Sequence, residues 1–115
     1  MEINQLKEML IANYHAKEDM IQSYEITVSQ LSFLKLRDII ISDLGKIDFE
    51  DLENQLYIAI IPGGILKKNS GVAIFDLNEN LLKIAIYSRE GIIQQNTSED
   101  ILNEIKKAIQ KFTKK

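Results

Sequence analysis

The sequence predicts an α+β fold: a long N-terminal helix of coiled-coil type, two antiparallel β-hairpins and a short C-terminal helix. Three observations predict it. All five glycines and the single proline of the 115 residues lie between Gly45 and Gly91, and these residue types are the strongest local breakers of regular structure. Apolar residues recur at helical spacing on both flanks of that stretch. Within it, short runs of Ile, Val, Tyr and Phe alternate with turn residues. The expected division is residues 1–47 helical, 56–95 hairpins and 97–114 helix, in one domain covering 1–115.

In the first flank, Leu10, Tyr14, Lys17, Ile21, Tyr24, Val28 and Leu31 are spaced alternately by 4 and 3. Such a seam has a period of 3.5 residues, the mark of helices that wind around a partner. Ile3 and Leu6 precede it, and Phe33, Leu36, Ile40, Leu44 and Ile47 continue a helical stripe. The β-branched stretches Ile26-Thr27-Val28 and Ile39-Ile40-Ile41 lower helix propensity, so the flank reads as one helix or as two with a break near Tyr24–Ser32. Unbroken, its first 44 residues would span roughly 65 Å at 1.5 Å per residue, and such a helix must protrude or pair.

The strands are read at Tyr57–Ile61, Val72–Phe75, Leu81–Tyr87 and Ile92–Gln95. Between them lie Pro62-Gly63-Gly64, Asn69-Ser70-Gly71, Asp76–Asn80 and Ser88–Gly91, connections short enough for antiparallel neighbours. Both faces of these strands are apolar: Ile58 and Ile60 oppose Tyr57, Ala59 and Ile61, and Ile84 and Ile86 oppose Ala85 and Tyr87. A sheet with one wet face alternates apolar with polar residues, so this one needs two coverings. One short helix and the base of a long one supply about one, which leaves an assembly interface. In the last flank, Thr97-Ser98-Glu99-Asp100 reads as an N-cap followed by acidic residues that oppose the helix dipole. Ile101, Ile105, Ala108 and Phe112 then run at helical spacing.

Composition narrows the function classes. There is no cysteine, so a disulfide framework, a thiolate metal site and a Cys nucleophile are excluded, and His15 is the only imidazole. With neither a long apolar run nor a basic-then-apolar leader, the chain reads as a cytoplasmic protein. The net charge of −3 is uneven: residues 1–56 hold 5 basic and 11 acidic side chains. That imbalance speaks against nucleic acid as principal partner. Pro62-Gly63-Gly64 lacks the Lys-Ser/Thr of a phosphate loop and reads as a plain turn. His15 beside Glu18 and Asp19 reads as a solvated face. Glu50, Asp51 and Glu53 form an acidic run without a cleft for acid–base work. Lys106, Lys107, Lys111, Lys114 and Lys115 read as a helix end of favoured sign. No enzyme, metal or cofactor is expected.

Two segments carry a family resemblance. Leu56-Tyr57-Ile58-Ala59-Ile60-Ile61-Pro62-Gly63-Gly64 resembles the first strand and Gly-rich turn of alpha-type prefoldin subunits. Leu82-Lys83-Ile84-Ala85-Ile86-Tyr87-Ser88-Arg89-Glu90-Gly91-Ile92-Ile93 resembles that family's third strand, turn and fourth strand. The resemblance covers about residues 20–115 and implies a divergent member with a shortened C-terminal helix. It implies an ATP-independent holdase chaperone or assembly subunit, whose hairpins join subunits through a β-barrel and whose helices grip unfolded clients. Carried over, Ile58, Ile60, Val72, Ile74, Ile84 and Ile86 form the oligomer interface, and Ile3, Leu6, Met9, Leu10 and Ile11 contact clients. The expected partners are prefoldin-like subunits in a homo- or hetero-oligomer, together with unfolded or partly folded proteins. Two alternatives stand beside this: a small dimeric protein-binding module of immunity or secretion-chaperone type, and a nucleoid-type DNA-binding protein.

Overall fold

The computed structural model of the chain describes residues 2–62, 71–88 and 97–113. Its elements are α1 (Ile3–Tyr14), β1 (Ile21–Thr27), α2 (Phe33–Ile39), β2 (Lys46–Asp51), β3 (Leu56–Ile61), β4 (Gly71–Asn78), β5 (Leu81–Ser88) and α3 (Thr97–Thr113). A short 3₁₀ turn, Glu18–Met20, leads into β1, and a π turn, Ile40–Leu44, extends α2. The five strands form one antiparallel sheet in the order β1-β5-β4-β3-β2.

The long N-terminal helix is not there. The expected helical segment 1–47 is overturned: residues 2–45 form not a helical arm but two short helices with a strand between them, and β2 follows directly from Lys46. The described residues extend 40 × 29 × 21 Å, too short for the protruding rod. Local chemistry explains the break. His15 adopts a left-handed conformation, φ 54° and ψ 34°, and its N–H bonds to the Leu10 carbonyl, which ends α1. The β-branched Ile26 and Thr27 then favour extended backbone. Gln30 turns the chain at φ 57°, and Ser32 restarts it as a helix, its Oγ accepting from the Lys35 N–H at 3.0 Å. The 3.5-residue seam crossed these boundaries by coincidence: Ile21 and Tyr24 lie on opposite faces of β1.

β3, β4, β5 and α3 lie where apolar runs and turn residues place them, within three residues at each end. The expected strand Ile92–Gln95, the expected turns at Gly63-Gly64, Asn69-Ser70 and Arg89–Gly91, and the end of the lysine cluster at Lys114 and Lys115 lie outside the described residues. β5 instead pairs with β4 on one side and β1 on the other.

Both faces of the sheet are covered by the chain itself. On one, α2, its π turn and α3 pack over Tyr57, Ala59, Ile61, Ala73, Phe75, Leu77, Leu82, Ile84 and Ile86. On the other, α1 lays Leu6 and Leu10 over Leu56, Ile58, Ile74, Ala85 and Tyr87. Burying each of these leucines is worth about 1.5–3 kcal/mol. The second face turns polar one row along the strands, where Glu25, Lys83 and Asp76 stand in register. The expectation that the sheet needs two coverings is met inside one chain, which removes the reason for an assembly interface.

Candidate functional site

The six residues expected to form an oligomer interface do not share a face. The β4–β5 hairpin pairs Asn78 with Leu81, so even-numbered positions of β4 meet odd-numbered ones of β5. Ile58, Ile60, Val72 and Ile74 therefore line the α1 side, and Ile84 and Ile86 the α2–α3 side. Ile58, Ile74, Ile84 and Ile86 are buried in the two cores, and Ile60 and Val72 are half-buried. Of the expected client contacts, Leu6 and Leu10 are fully buried, Ile3 and Met9 pack at the edge of the same cluster, and Ile11 points outward. Neither set forms an open binding surface.

Apart from Ile11, the exposed apolar side chains lie elsewhere. Among the described residues the large hydrophobics left open are Leu34 (65% exposed), Ile41 (50%), Phe49 (44%), Leu52 (65%) and Ile11 (38%). Four of these five fall between positions 34 and 52, on α2, its π turn, β2 and the turn after β2. Arg37 Nε donates to Glu50 Oε1 at 3.0 Å, a partly exposed ion pair that links α2 to β2 along this flank, while Phe49, paired with Ile58, turns to the α1 side of the strand.

β2 is the centre of that flank. Lys46-Ile47-Asp48-Phe49-Glu50-Asp51 alternates as an edge strand does, with Ile47 packed against the α2–α3 core. Among the described residues its single neighbour is β3, so one row of backbone N–H and C=O groups faces outward. The register shifts between Ile47 and Phe49, which leaves Asp48 as the extra residue of a bulge. Asp48 reaches α1, where the Tyr14 hydroxyl donates to its carboxylate. Burial first and then this hydrogen bond push the Tyr14 phenol well above its ordinary pKa.

A cleft of about 390 Å³ opens between α1 and β2, lined by Met9, Asn13, Tyr14, Asp48, Phe49 and Ile58. Its walls are apolar and its rim polar. The flank as a whole is acidic, with Asp38, Asp43, Asp48, Glu50, Asp51 and Glu53 against Lys35, Arg37 and Lys46. Lys111 approaches Asp43 at 3.5 Å. Asp51 closes the following turn: Asn54 donates its side chain at 2.8 Å and its backbone N–H at 3.2 Å, and these bonds hold the Asp51 carboxyl below its usual pKa.

A second, more open cleft of about 660 Å³ lies at the far end of the sheet, between the start of α2 and the turns after β2 and β4. Two residues on its rim, Gln55 and Glu79, take positive φ. Among the described residues no group of three or more His, Asp or Glu side chains is placed to hold a metal ion. His15 ends a helix, and Glu50, Asp51 and Glu53 lie on the exposed edge.

The sequence does not single out Phe49, Asp48, Leu52, Leu34 and Ile41, because residues 33–47 read there as helix and 50–53 as a bare acidic run. The period-2 alternation of residues 46–51 was the available signal. Comparison with protein-family models, with curated proteins and with solved structures finds no match to this chain. Among the described residues, no helix is long and apolar enough to cross a membrane.

Proposed function

We propose that this chain is a non-enzymatic protein-binding domain that recognises a partner along the flank built by α2 and β2. One observation carries the reading: Leu34, Ile41, Phe49 and Leu52 stand exposed on one stretch of chain, while most apolar residues of β3, β4 and β5 are buried. Large side chains that remain open beside polar groups mark interaction surfaces, and aromatic anchors dominate their energetics. The outer edge of β2, open among the described residues, adds directional hydrogen bonding to that apolar surface. This reading keeps the binding-module alternative and replaces the holdase, whose gripping helix is absent. Its setting is the cytoplasm.

A photo-crosslinking amino acid placed at Leu34, Ile41 or Leu52 of the full chain in its host cells tests this, with Asn103 and Gln110 on α3 as control positions. The expected result is the same discrete adduct from at least two flank positions and none from the controls. A smear of many adducts would restore a general holdase, and silence at all three flank positions would overturn the proposal. Leu34→Asp is expected to change folding stability by less than about 0.5 kcal/mol, since Leu34 lies on the surface. Its adduct yield at Leu52 is expected to fall severalfold.

A further inference from the structure

Resting on that reading, we infer that the partner enters as an extended basic segment, which adds a strand to β2 and seats a Lys or Arg side chain in the cleft between α1 and β2. Three independent features of the site converge on this occupant. The first is the backbone. The outer row of β2 is open among the described residues, and six residues of strand span about 20 Å, enough to align a short peptide.

The second is charge. Along this strand and its turn, Asp48, Glu50, Asp51 and Glu53 follow one another with Lys46 alone at the far end. Glu50 is engaged by Arg37, but among the described residues Asp48 and Asp51 meet only uncharged donors, Tyr14 and Asn54. A basic segment complements this edge, whereas an acidic one meets like charge.

The third is the shape of the cleft. Met9, Ile58 and the Phe49 ring supply apolar walls, and the Asp48 carboxylate supplies an anion beside them. A long cationic side chain matches both parts. Its methylene stem packs on the walls, its head reaches the carboxylate, and the Phe49 ring attracts the cation further. Because of the bulge Phe49 pairs with Ile58 and shares its face, so the ring joins the Asp48 carboxylate in the cleft.

Three acetylated octapeptides, added to isotope-labelled full chain and followed by backbone amide shifts, test the inference: alternating Arg-Val, alternating Glu-Val, and Arg-Val with a central valine replaced by proline. The expected result is saturable shifts in residues 46–51 and at Met9, Asn13 and Tyr14 with Arg-Val alone. Affinity is expected to fall about tenfold between 50 and 500 mM salt and by a similar factor in Asp48→Asn, a variant that still accepts from Tyr14. Phe49→Ala, at an exposed position, is expected to weaken binding while leaving the free chain folded. Equal shifts from Arg-Val and Glu-Val would overturn the inference. So would shifts that avoid β2, or no saturable shift at all; the bulge and acidic side chains would then be guards against strand pairing. Crosslinks from Leu34, Ile41 and Leu52 beside a β2 unmoved by Arg-Val would sink strand addition and leave the binding flank standing. Silence in both experiments would remove both.

Discussion

At Tyr57 the side chain does two things for one neighbour. Its ring stacks on Phe33 with centroids 4.0 Å apart and planes 7° apart, and its hydroxyl donates to the Phe33 carbonyl at 2.8 Å. Tyr57→Phe keeps the stack and loses the hydrogen bond, so urea denaturation is expected to show a loss of about 0.5–1.5 kcal/mol. Burial, reinforced by the Glu50 carboxylate, pushes this phenol from 10.0 up to about 12. In the unfolded chain the phenol releases its proton near pH 10. The stabilisation is therefore complete below pH 10 and is lost as pH rises towards 12. Tyr57→Phe is expected to flatten part of that alkaline limb when unfolding is followed by circular dichroism at each pH. Tyr14 and Tyr24 are shifted in the same direction, burial being the larger cause for each, and maintain the rest of the limb. The sequence placed Tyr57 in a strand, but its partner could not be read there. Phe33 sits 24 residues away, and which face of β3 meets α2 depends on register.

Among the elements, β2 shows best how a boundary can be legible while its consequence is not. Gly45 is the first of the breakers in the sequence, and although the helical stripe reads on to Ile47, it ends the π turn. Its extended backbone suits any residue; its lack of a side chain is what matters. A Cβ there would lie 2.2 Å from the Ile60 carbonyl oxygen and 3.1 Å from Ile61 Cα, both immovable backbone atoms. Gly45→Ala therefore has to push β2 away from β3, and thermal unfolding is expected to show a cost of about 1–3 kcal/mol. β1 was missed for a different reason. A strand contributes apolar residues at every second position, and Tyr24, Ile26 and Val28 lie at such positions. With Leu10 and Tyr14 before them and Leu31 after, they also satisfied a helical seam. Propensity pointed the other way at Ile26-Thr27-Val28 and was the better guide. β3, β4, β5 and α3 were legible because short apolar runs bounded by turn residues and a strong 3.6-residue stripe allow few alternatives.

For the molecule as a whole, the sequence showed that the strands are apolar on both faces but not what covers them. That depends on α1 and α2–α3 packing on opposite sides, a long-range outcome with no local signature. The correction changes what a charge in the sheet does. Ile84→Asp buries an unpaired carboxylate in the core beneath α3, with an expected loss above about 4 kcal/mol and a chain that no longer melts cooperatively. It is expected to unfold the protein, where an interface position would merely dissociate an assembly. Ile41→Asp, half exposed on the π turn, is expected to melt within a few degrees of the unaltered chain. The candidate site was legible in residue types, as an acidic run, but not as an edge.

The single sheet also acts as a partition. The side chains beneath α1 and those beneath α2–α3 belong to separate clusters, and consecutive residues of β3 take opposite sides: Tyr57 anchors α2, and Ile58 floors the cleft beside α1. Two compartments that share no side chain can drift separately in sequence. The helix over one can be repainted to suit a new visitor without disturbing the masonry behind the other, and that gives so small a domain room to change its specificity while remaining folded.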